Sequence, residues 1–215
     1  MTCSGVPPVS AIADVLALWG DDGWLTPPLH PVVGARVPTI GRALTITITF
    51  APTGPGLEPI FELLSGDLTG RMLVLAGAAA VPGAVWGELL TRAARQRGAS
   101  GVLVDGWVRD RPDMTAIGFP VYAIGEHVVG PNGQAQLTHI DTTVTVNEVS
   151  VAADDVIVVD AGGCVRLRAA TADAVLHAAR RYSTAEDLVA RSLAEGEPLA
   201  RAYRHKKSIV DELRR

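Results

Sequence analysis

The stretch from Arg71 to Asp105 admits few folds. Two short apolar runs, "RMLVLA" at 71–76 and "GVLVD" at 101–105, flank a helical pattern, "GAVWGELLTRAARQRG", over 83–98. Within that pattern Val85, Leu89 and Ala93 recur at four-residue steps, and Gly98 is placed to stop the helix. Strand, helix and strand in so short a span make a βαβ unit, whose two strands run parallel with a right-handed crossover.

The flanking segments extend this core. Residues 9–19, "VSAIADVLALW", carry apolar side chains at helical spacing, with Ser10 as a candidate N-cap. The Pro- and Gly-rich run over 23–38 is expected to be surface loop. In "RALTITITF", Leu44, Ile46, Ile48 and Phe50 alternate with threonines, the pattern of a strand with one apolar face. "FPVYAIG" (119–125) reads as a further strand, residues 141–168 alternate and turn repeatedly, and "DAGG" (160–163) suits a hairpin connection. From Thr171 the pattern is helical, interrupted at "EGEP" (195–198). The fold class is α/β: a βαβ core and an antiparallel β segment over 1–170, finished by a C-terminal helical arm over 171–215, within a single domain overall.

Composition narrows the function classes. With 19 Lys and Arg against 23 Asp and Glu, the net charge of −4 offers no basic face for nucleic acid. The dense basic run "YRHKK" (203–207) fits a solvated helix end. No signal peptide and no run of ~18 apolar residues is evident, so no membrane partner is expected. Cys3 and Cys164 have neither metal nor redox spacing, which fits a reduced, cytoplasmic protein with Cys164 as an inert strand residue. His30, His127, His139 and His177 carry no ligand spacing, and no P-loop, dinucleotide fingerprint or nucleophile elbow is present.

Chemistry concentrates where the second strand of the βαβ unit ends. Ligands of such units bind outside the carboxyl ends of the strands, the edge at which the crossover helix also begins. Strand 101–105 ends at Asp105, Gly106 offers a turn, and Arg109 and Asp110 follow; Glu88 lies in the first turns of the helix. Arginine presents a planar fork for a carboxylate. A lone aspartate with waters and substrate oxygens suits Mg²⁺. Glu88 could accept from a metal-held water, and a helix N-terminus supplies donors to an anion. That set suits a small, metal-chelating 2-oxo acid. An exposed ion pair worth under ~1 kcal/mol accounts for Arg109 and Asp110 equally well.

At these residues the chain resembles a known family. "WGELLTRAARQRGASGVLVDGWVRD" is similar to the core of the RraA-like proteins, whose motif is an acidic residue, twenty residues, then Arg-Asp; here twenty residues separate Glu88 from Arg109. "VVGARVPTIGRALTI", "GFPVYA" and "DDVIVVDAGGCVRL" also match, so the resemblance spans roughly residues 9–205. The family contains class II pyruvate aldolases acting on 4-hydroxy-4-methyl-2-oxoglutarate and the protein called regulator of ribonuclease activity A.

The resemblance implies a swivelling α/β/β/α sandwich that assembles as a homotrimer or hexamer with sites at subunit interfaces. It implies Asp110 as ligand of Mg²⁺ (or Mn²⁺), Arg109 on the carboxylate and oxo end of the substrate, and Glu88 orienting a water on the metal. Gly87 and the backbone N–H groups of Leu89 and Leu90 would line the pyruvyl carboxylate. The extra helical arm marks the aldolase branch and would reach a neighbouring subunit, with Glu197 similar in placement to an acidic residue that completes the adjoining site. The implied activity is cleavage of 4-hydroxy-2-oxo acids to pyruvate, with oxaloacetate decarboxylation as companion; the alternative is a non-catalytic regulator that binds a protein such as a ribonuclease. The chain departs from the family pattern in carrying Glu88 where aspartate is commoner, and in the apolar run "LAGAAAVPGA" (75–84) ahead of the helix.

Overall fold

The computed structural model describes residues 5–25, 28–53 and 56–214. In chain order it begins with α1 (Val9–Leu18), β1 (His30–Val33), β2 (Thr39–Phe50), α2 (Glu58–Leu63) and β3 (Arg71–Ala76). A 3₁₀ turn (Ala78–Ala80) leads to β4 (Ala84–Trp86), α3 (Glu88–Gln96), β5 (Gly101–Val108), α4 (Arg111–Ile117) and β6 (Val121–Glu126). Short strands follow: β7 (Ala135–Ile140), β8 (Val144–Val146), β9 (Val149–Val151), β10 (Val156–Asp160) and β11 (Gly163–Leu167). The chain closes with α5 (Ala172–Ala194), α6 (Leu199–Ala202) and α7 (Arg204–Leu213).

The main sheet runs β1-β6-β5-β3-β2-β10-β11, with β4 added to β5 and β7 to β2. β3, β5 and β6 are mutually parallel and β2 joins them in parallel, while β10 and β11 are antiparallel. Strand alternation divides the core into three. Leu73 and Leu75 of β3 and Val102 and Val104 of β5 face Ile60, Ala94 and Met114 of the helices α2, α3 and α4. Val74, Leu103 and Tyr122 point the other way, onto Ile157, Val159 and the β8–β9 pair. Val156, Val158, Val165 and Leu167 then carry α1 and α5 on the outer side. Those three cores are the interfaces of an α/β/β/α sandwich, as expected.

Several boundaries differ from the sequence reading, each for a physical reason. Ser10 does not cap α1; Asp160 of β10 accepts from the Val9 N–H at 2.8 Å instead. The stretch expected to be all loop contains β1, an edge strand paired antiparallel to β6, where Pro31 is tolerated because an edge leaves one side unpaired. β2 is central rather than one-faced: Thr45 is fully buried, its hydroxyl donating to the Thr142 carbonyl at 2.6 Å. The crossover helix starts at Glu88, not near 83, because Ala84–Trp86 pairs with β5 and Trp86 is buried in the core. Leu89 is consequently exposed, and Thr91 and Ala94 form the buried stripe of α3. Gly98, with φ of 87°, follows the end of the helix as expected.

β5 runs on to Val108, so Gly106 is not a turn residue. A Cβ there would lie 2.8 Å from Ala78, and the glycine lets the 3₁₀ turn press against the strand. Asp160 and Gly163 pair across the β10–β11 hairpin as the "DAGG" pattern suggested. Cys164 is buried on β11, and burial pushes its thiol well above the ordinary range; Cys3 lies outside the described residues. No helix among the described residues is long and apolar enough to cross a membrane.

The C-terminal helices pack on α1 of the same chain through Tyr182, Ala185 and Ile209. Tyr182 donates to Asp14 at 2.7 Å, and Lys206 bonds Glu186 at 2.7 Å while its ammonium sits 4.8 Å from the Tyr182 ring. Between the two halves of the sandwich, Tyr122 is fully buried. It donates to the Asp160 carbonyl at 2.7 Å and accepts from the Ala35 N–H at 3.2 Å. Burial pushes its hydroxyl up from 10.0 to about 12, opposed by the Ala35 bond. The folded state therefore favours the neutral phenol: its contribution holds below the unfolded value near 10 and is lost as pH rises towards 12. Tyr122→Phe is expected to cost about 1–3 kcal/mol in chemical denaturation, because both partners lose a buried hydrogen bond. The same variant is expected to show a shallower loss of stability between pH 10 and pH 12 than the native chain.

Candidate active site

The site begins with one backbone bond. As the chain leaves β5, the Arg109 N–H donates to the Trp86 carbonyl at 3.0 Å, tying the end of β5 to the end of β4. Gly87 and Glu88, the first residues after β4, are thereby set beside Arg109 and Asp110. Buried Thr91 fixes the start of α3: its hydroxyl donates to the Gly87 carbonyl at 2.9 Å and accepts from the Trp86 indole at 2.8 Å.

Asp110 stands just ahead of α4 in the left-handed region, with φ of 62°, a conformation aspartate and asparagine tolerate better than most residues. Its Oδ2 accepts from the Glu88 N–H at 3.3 Å and lies 3.6 Å from Arg109 Nε. No protein partner meets Oδ1 among the described residues. The Asp110 side chain is 40% exposed and that of Arg109 47%, so both are open to a ligand. The Glu88 carboxylate is held by Arg92 of the next helical turn at 2.6 Å.

The α3 N-terminus keeps free N–H groups. An α-helix leaves its first four N–H groups without intrahelical partners. Asp110 takes that of Glu88, and the helical ladder begins with the Thr91 N–H on the Gly87 carbonyl. Among the described residues nothing takes those of Leu89 and Leu90, which remain free for an anionic oxygen.

Two glycines make the packing possible. At Gly87 the backbone is extended and unstrained, but an added Cβ would fall 2.6 Å from Asp110 Oδ2. At Gly130 it would fall 3.1 Å from Arg109 Nη1. Gly87→Ala is therefore expected to push the Asp110 carboxylate aside in a folded protein. Were Asp110 to hold a divalent cation, the expected effect would be about a 10–100-fold loss of Mn²⁺ affinity, measured by water-proton relaxation, with little change in Tm.

Arg109, Asp110, Gly87, Glu88, Leu89 and Leu90 all border one cleft of about 450 Å³. Its other walls are Leu57 and Phe61 from the α2 region, Ala84 and Val85 of β4, Asp113 of α4, and Pro131 and Gly133 of the β6–β7 connection. Sequence reasoning missed α2 and the 130–133 turn. The Pro near the start of "EPIFEL" was a helix-start signal, whereas nothing local marks Gly130 as the seat of a guanidinium.

Glu197 and two residues close to the motif lie elsewhere. Glu197 sits between α5 and α6, 3.2 Å from Arg204 and 3.9 Å from Arg201, and does not border this chain's cleft. Trp107 packs over Gly125, 6.5 Å from the His127 ring, and is no part of the wall. Asp105 braces the turn after β3, accepting from the Gly77 N–H at 3.1 Å; burial raises its carboxyl, with that bond pulling the other way.

Whether this set could hold a metal depends on its donors. Among the described residues no three His, Cys, Asp or Glu side chains cluster as a metal site. A zinc centre, with three or four nitrogen or sulfur ligands, is a poor match. A cation that keeps most of its water and takes one carboxylate oxygen fits Asp110 Oδ1, which means Mg²⁺ or Mn²⁺.

Known proteins resemble this chain over most of its length. A family model described as "RraA-like: Aldolase/RraA" matches residues 9–166. A protein of Halalkalibacterium halodurans, provisionally named 4-hydroxy-4-methyl-2-oxoglutarate aldolase, is 23% identical over 201 residues, covering 93% of this chain and 90% of its own. An uncharacterised protein from Pseudomonas syringae pv. tomato superposes with a TM-score of 0.80 at 21% identity, covering 91% of this chain and 92% of its own. Streptomyces coelicolor RraAS2, titled an unusual member of the RNase ES inhibitor RraA family, superposes with a TM-score of 0.72 at 19% identity, covering 83% of this chain and 88% of its own. At those identities the two structures establish the shared fold.

Proposed function

Because the chain belongs to the RraA-like family, we propose that it is a divalent-metal-dependent lyase that cleaves 4-hydroxy-2-oxo acids to pyruvate and a second carbonyl compound, with oxaloacetate decarboxylation as a companion activity. The observation that carries this reading is the cleft itself. It brings a guanidinium, a carboxylate with a free oxygen and two unpaired helix N–H groups to the wall of one cleft the size of a small substrate.

Each residue has a definable part. The N–H groups of Leu89 and Leu90 bind the substrate carboxylate, aided by the positive end of α3. Arg109 spans the carboxylate and the 2-oxo oxygen with its two-pronged fork. Asp110 holds Mg²⁺ or Mn²⁺, which when bound polarises the oxo group. Glu88, anchored by Arg92, orients a water in the cleft.

In the cleavage the 4-hydroxyl loses its proton, the C3–C4 bond breaks, and its electron pair passes through C3 to the oxo oxygen. Arg109 stabilises the enolate, whose oxygen gains charge as the C3–C4 bond breaks. A proton then returns to C3, and no oxidant or reductant is needed. In the same reading the chain assembles as a trimer or a pair of trimers, with the 171–215 arm and Glu197 reaching a neighbouring subunit's cleft.

The test is pyruvate release from a panel of 4-hydroxy-2-oxo acids and from oxaloacetate, with Mg²⁺ and with EDTA. Release that needs the cation supports the lyase. No release from a folded protein that binds Mg²⁺ contradicts it and favours the regulator, for which the cleft residues would be dispensable.

A further inference from the structure

Resting on the lyase reading, we infer that His127 is a positioning residue: its imidazole fixes the turn on which the Arg109 guanidinium is seated. Among the described residues the guanidinium makes no hydrogen bond; its ion-pair partner is Asp110, whose Oδ2 lies 3.6 Å from Nε. Its other neighbour is the backbone at Gly130, where an added Cβ would lie 3.1 Å from Nη1 and 3.5 Å from Cζ. The direction of the fork therefore depends on where the chain puts Gly130.

Three contacts fix that place. The His127 N–H donates to the Val108 carbonyl at 2.9 Å, holding the start of the turn to the end of β5. The Ala84 N–H donates to the Val129 carbonyl at 2.8 Å. Beside it Gly83, with φ of 136°, comes so close that a Cβ would lie 2.5 Å from the Gly130 oxygen. The third contact is the imidazole, whose Nδ1 lies 3.2 Å from the Val129 nitrogen and 3.3 Å from the Val129 oxygen. That oxygen already accepts from Ala84, whereas the Val129 N–H has no other acceptor among the described residues. The tautomer that satisfies both groups leaves Nδ1 bare to accept from Val129 and puts the hydrogen on Nε2. A side-chain bond to the N–H two residues on is the link asparagine makes in tight turns. Val128, at the tip, is 89% exposed, so its side chain adds no packing and the turn relies on these bonds. All of them lie within one chain and are independent of what a neighbouring subunit brings to the cleft.

The experiment joins a mutant cycle on pyruvate release to the Arg109 Nε–Hε signal of ¹⁵N-labelled protein, identified by its loss in Arg109→Lys. His127→Ala is expected to lower kcat about fivefold in the native background and less than about twofold in Arg109→Lys, because the residue acts through the fork. His127→Asn can make the same bond to the Val129 N–H and is expected to stay within about twofold of native. The Arg109 signal is expected to shift or broaden in His127→Ala and to keep its place in His127→Asn. Equal losses in both backgrounds, or a His127→Asn no better than His127→Ala, overturn the inference and leave the lyase standing. A native chain that releases no pyruvate overturns the lyase, and the signal then decides the inference alone: unmoved in His127→Ala, it contradicts the positioning role; moved there and restored in His127→Asn, it supports it.

Discussion

Asp110→Asn is expected to lower metal-dependent pyruvate release by about 10³-fold, close to 4 kcal/mol of transition-state stabilisation, while leaving the fold intact. Asparagine is the informative replacement because it keeps everything but the charge. It tolerates the left-handed backbone that Asp110 adopts at φ 62°, where alanine would be strained. Its side-chain oxygen can still accept from the Glu88 N–H. What it removes is the anionic oxygen that would bind the cation. The ion pair lost with Arg109 is exposed on both sides and worth under ~1 kcal/mol, so Tm is expected to move by no more than ~4 °C. Activity assays at several Mg²⁺ concentrations beside a thermal melt would check both halves. Activity retained in Asp110→Asn would remove the metal from the mechanism.

Arg109→Lys is expected to cost about 10²-fold in kcat/KM, roughly 2.7 kcal/mol. Charge is retained, so a site needing only a positive field would barely notice. The fork is what lysine lacks: one ammonium cannot bond the carboxylate and the oxo oxygen together. Because the oxo oxygen gains charge as C3–C4 breaks, kcat is expected to fall along with any rise in KM. A change in KM alone would reduce Arg109 to a docking group. Gly130, over which the guanidinium lies, holds it in place, so Gly130→Ala is expected to show a weaker version of the same defect.

The sequence exposed the parts of this arrangement that depend on local pattern. Apolar runs made β3 and β5 visible, alternation made β2 visible, and the spacing of Glu88, Arg109 and Asp110 pointed to one sheet edge. The structure puts those three residues beside one another. What escaped notice depends on tertiary pairing. Val85 looked helical because a four-residue step to Leu89 fits α3 as well as chance; only the pairing of Ala84 and Trp86 with β5 makes it strand. Gly106 looked like a turn because a glycine after an apolar run usually is one, and the approach of Ala78 that requires it is invisible in sequence. β1 was hidden by prolines that an edge strand tolerates. Two walls of the cleft were missed for the same reason: Phe61 and Pro131 come from segments distant in sequence from the motif.

The central claim is that Arg109, Asp110 and the α3 N-terminus stabilise a pyruvate enolate. The most direct measurement is exchange of the pyruvate methyl hydrogens for deuterium in D₂O, followed by proton NMR, because it needs no knowledge of the substrate's far end. Exchange that requires Mg²⁺ or Mn²⁺, stops with EDTA and is lost in Asp110→Asn is the expected result. A folded, metal-loaded protein that leaves the methyl signal unchanged would contradict it.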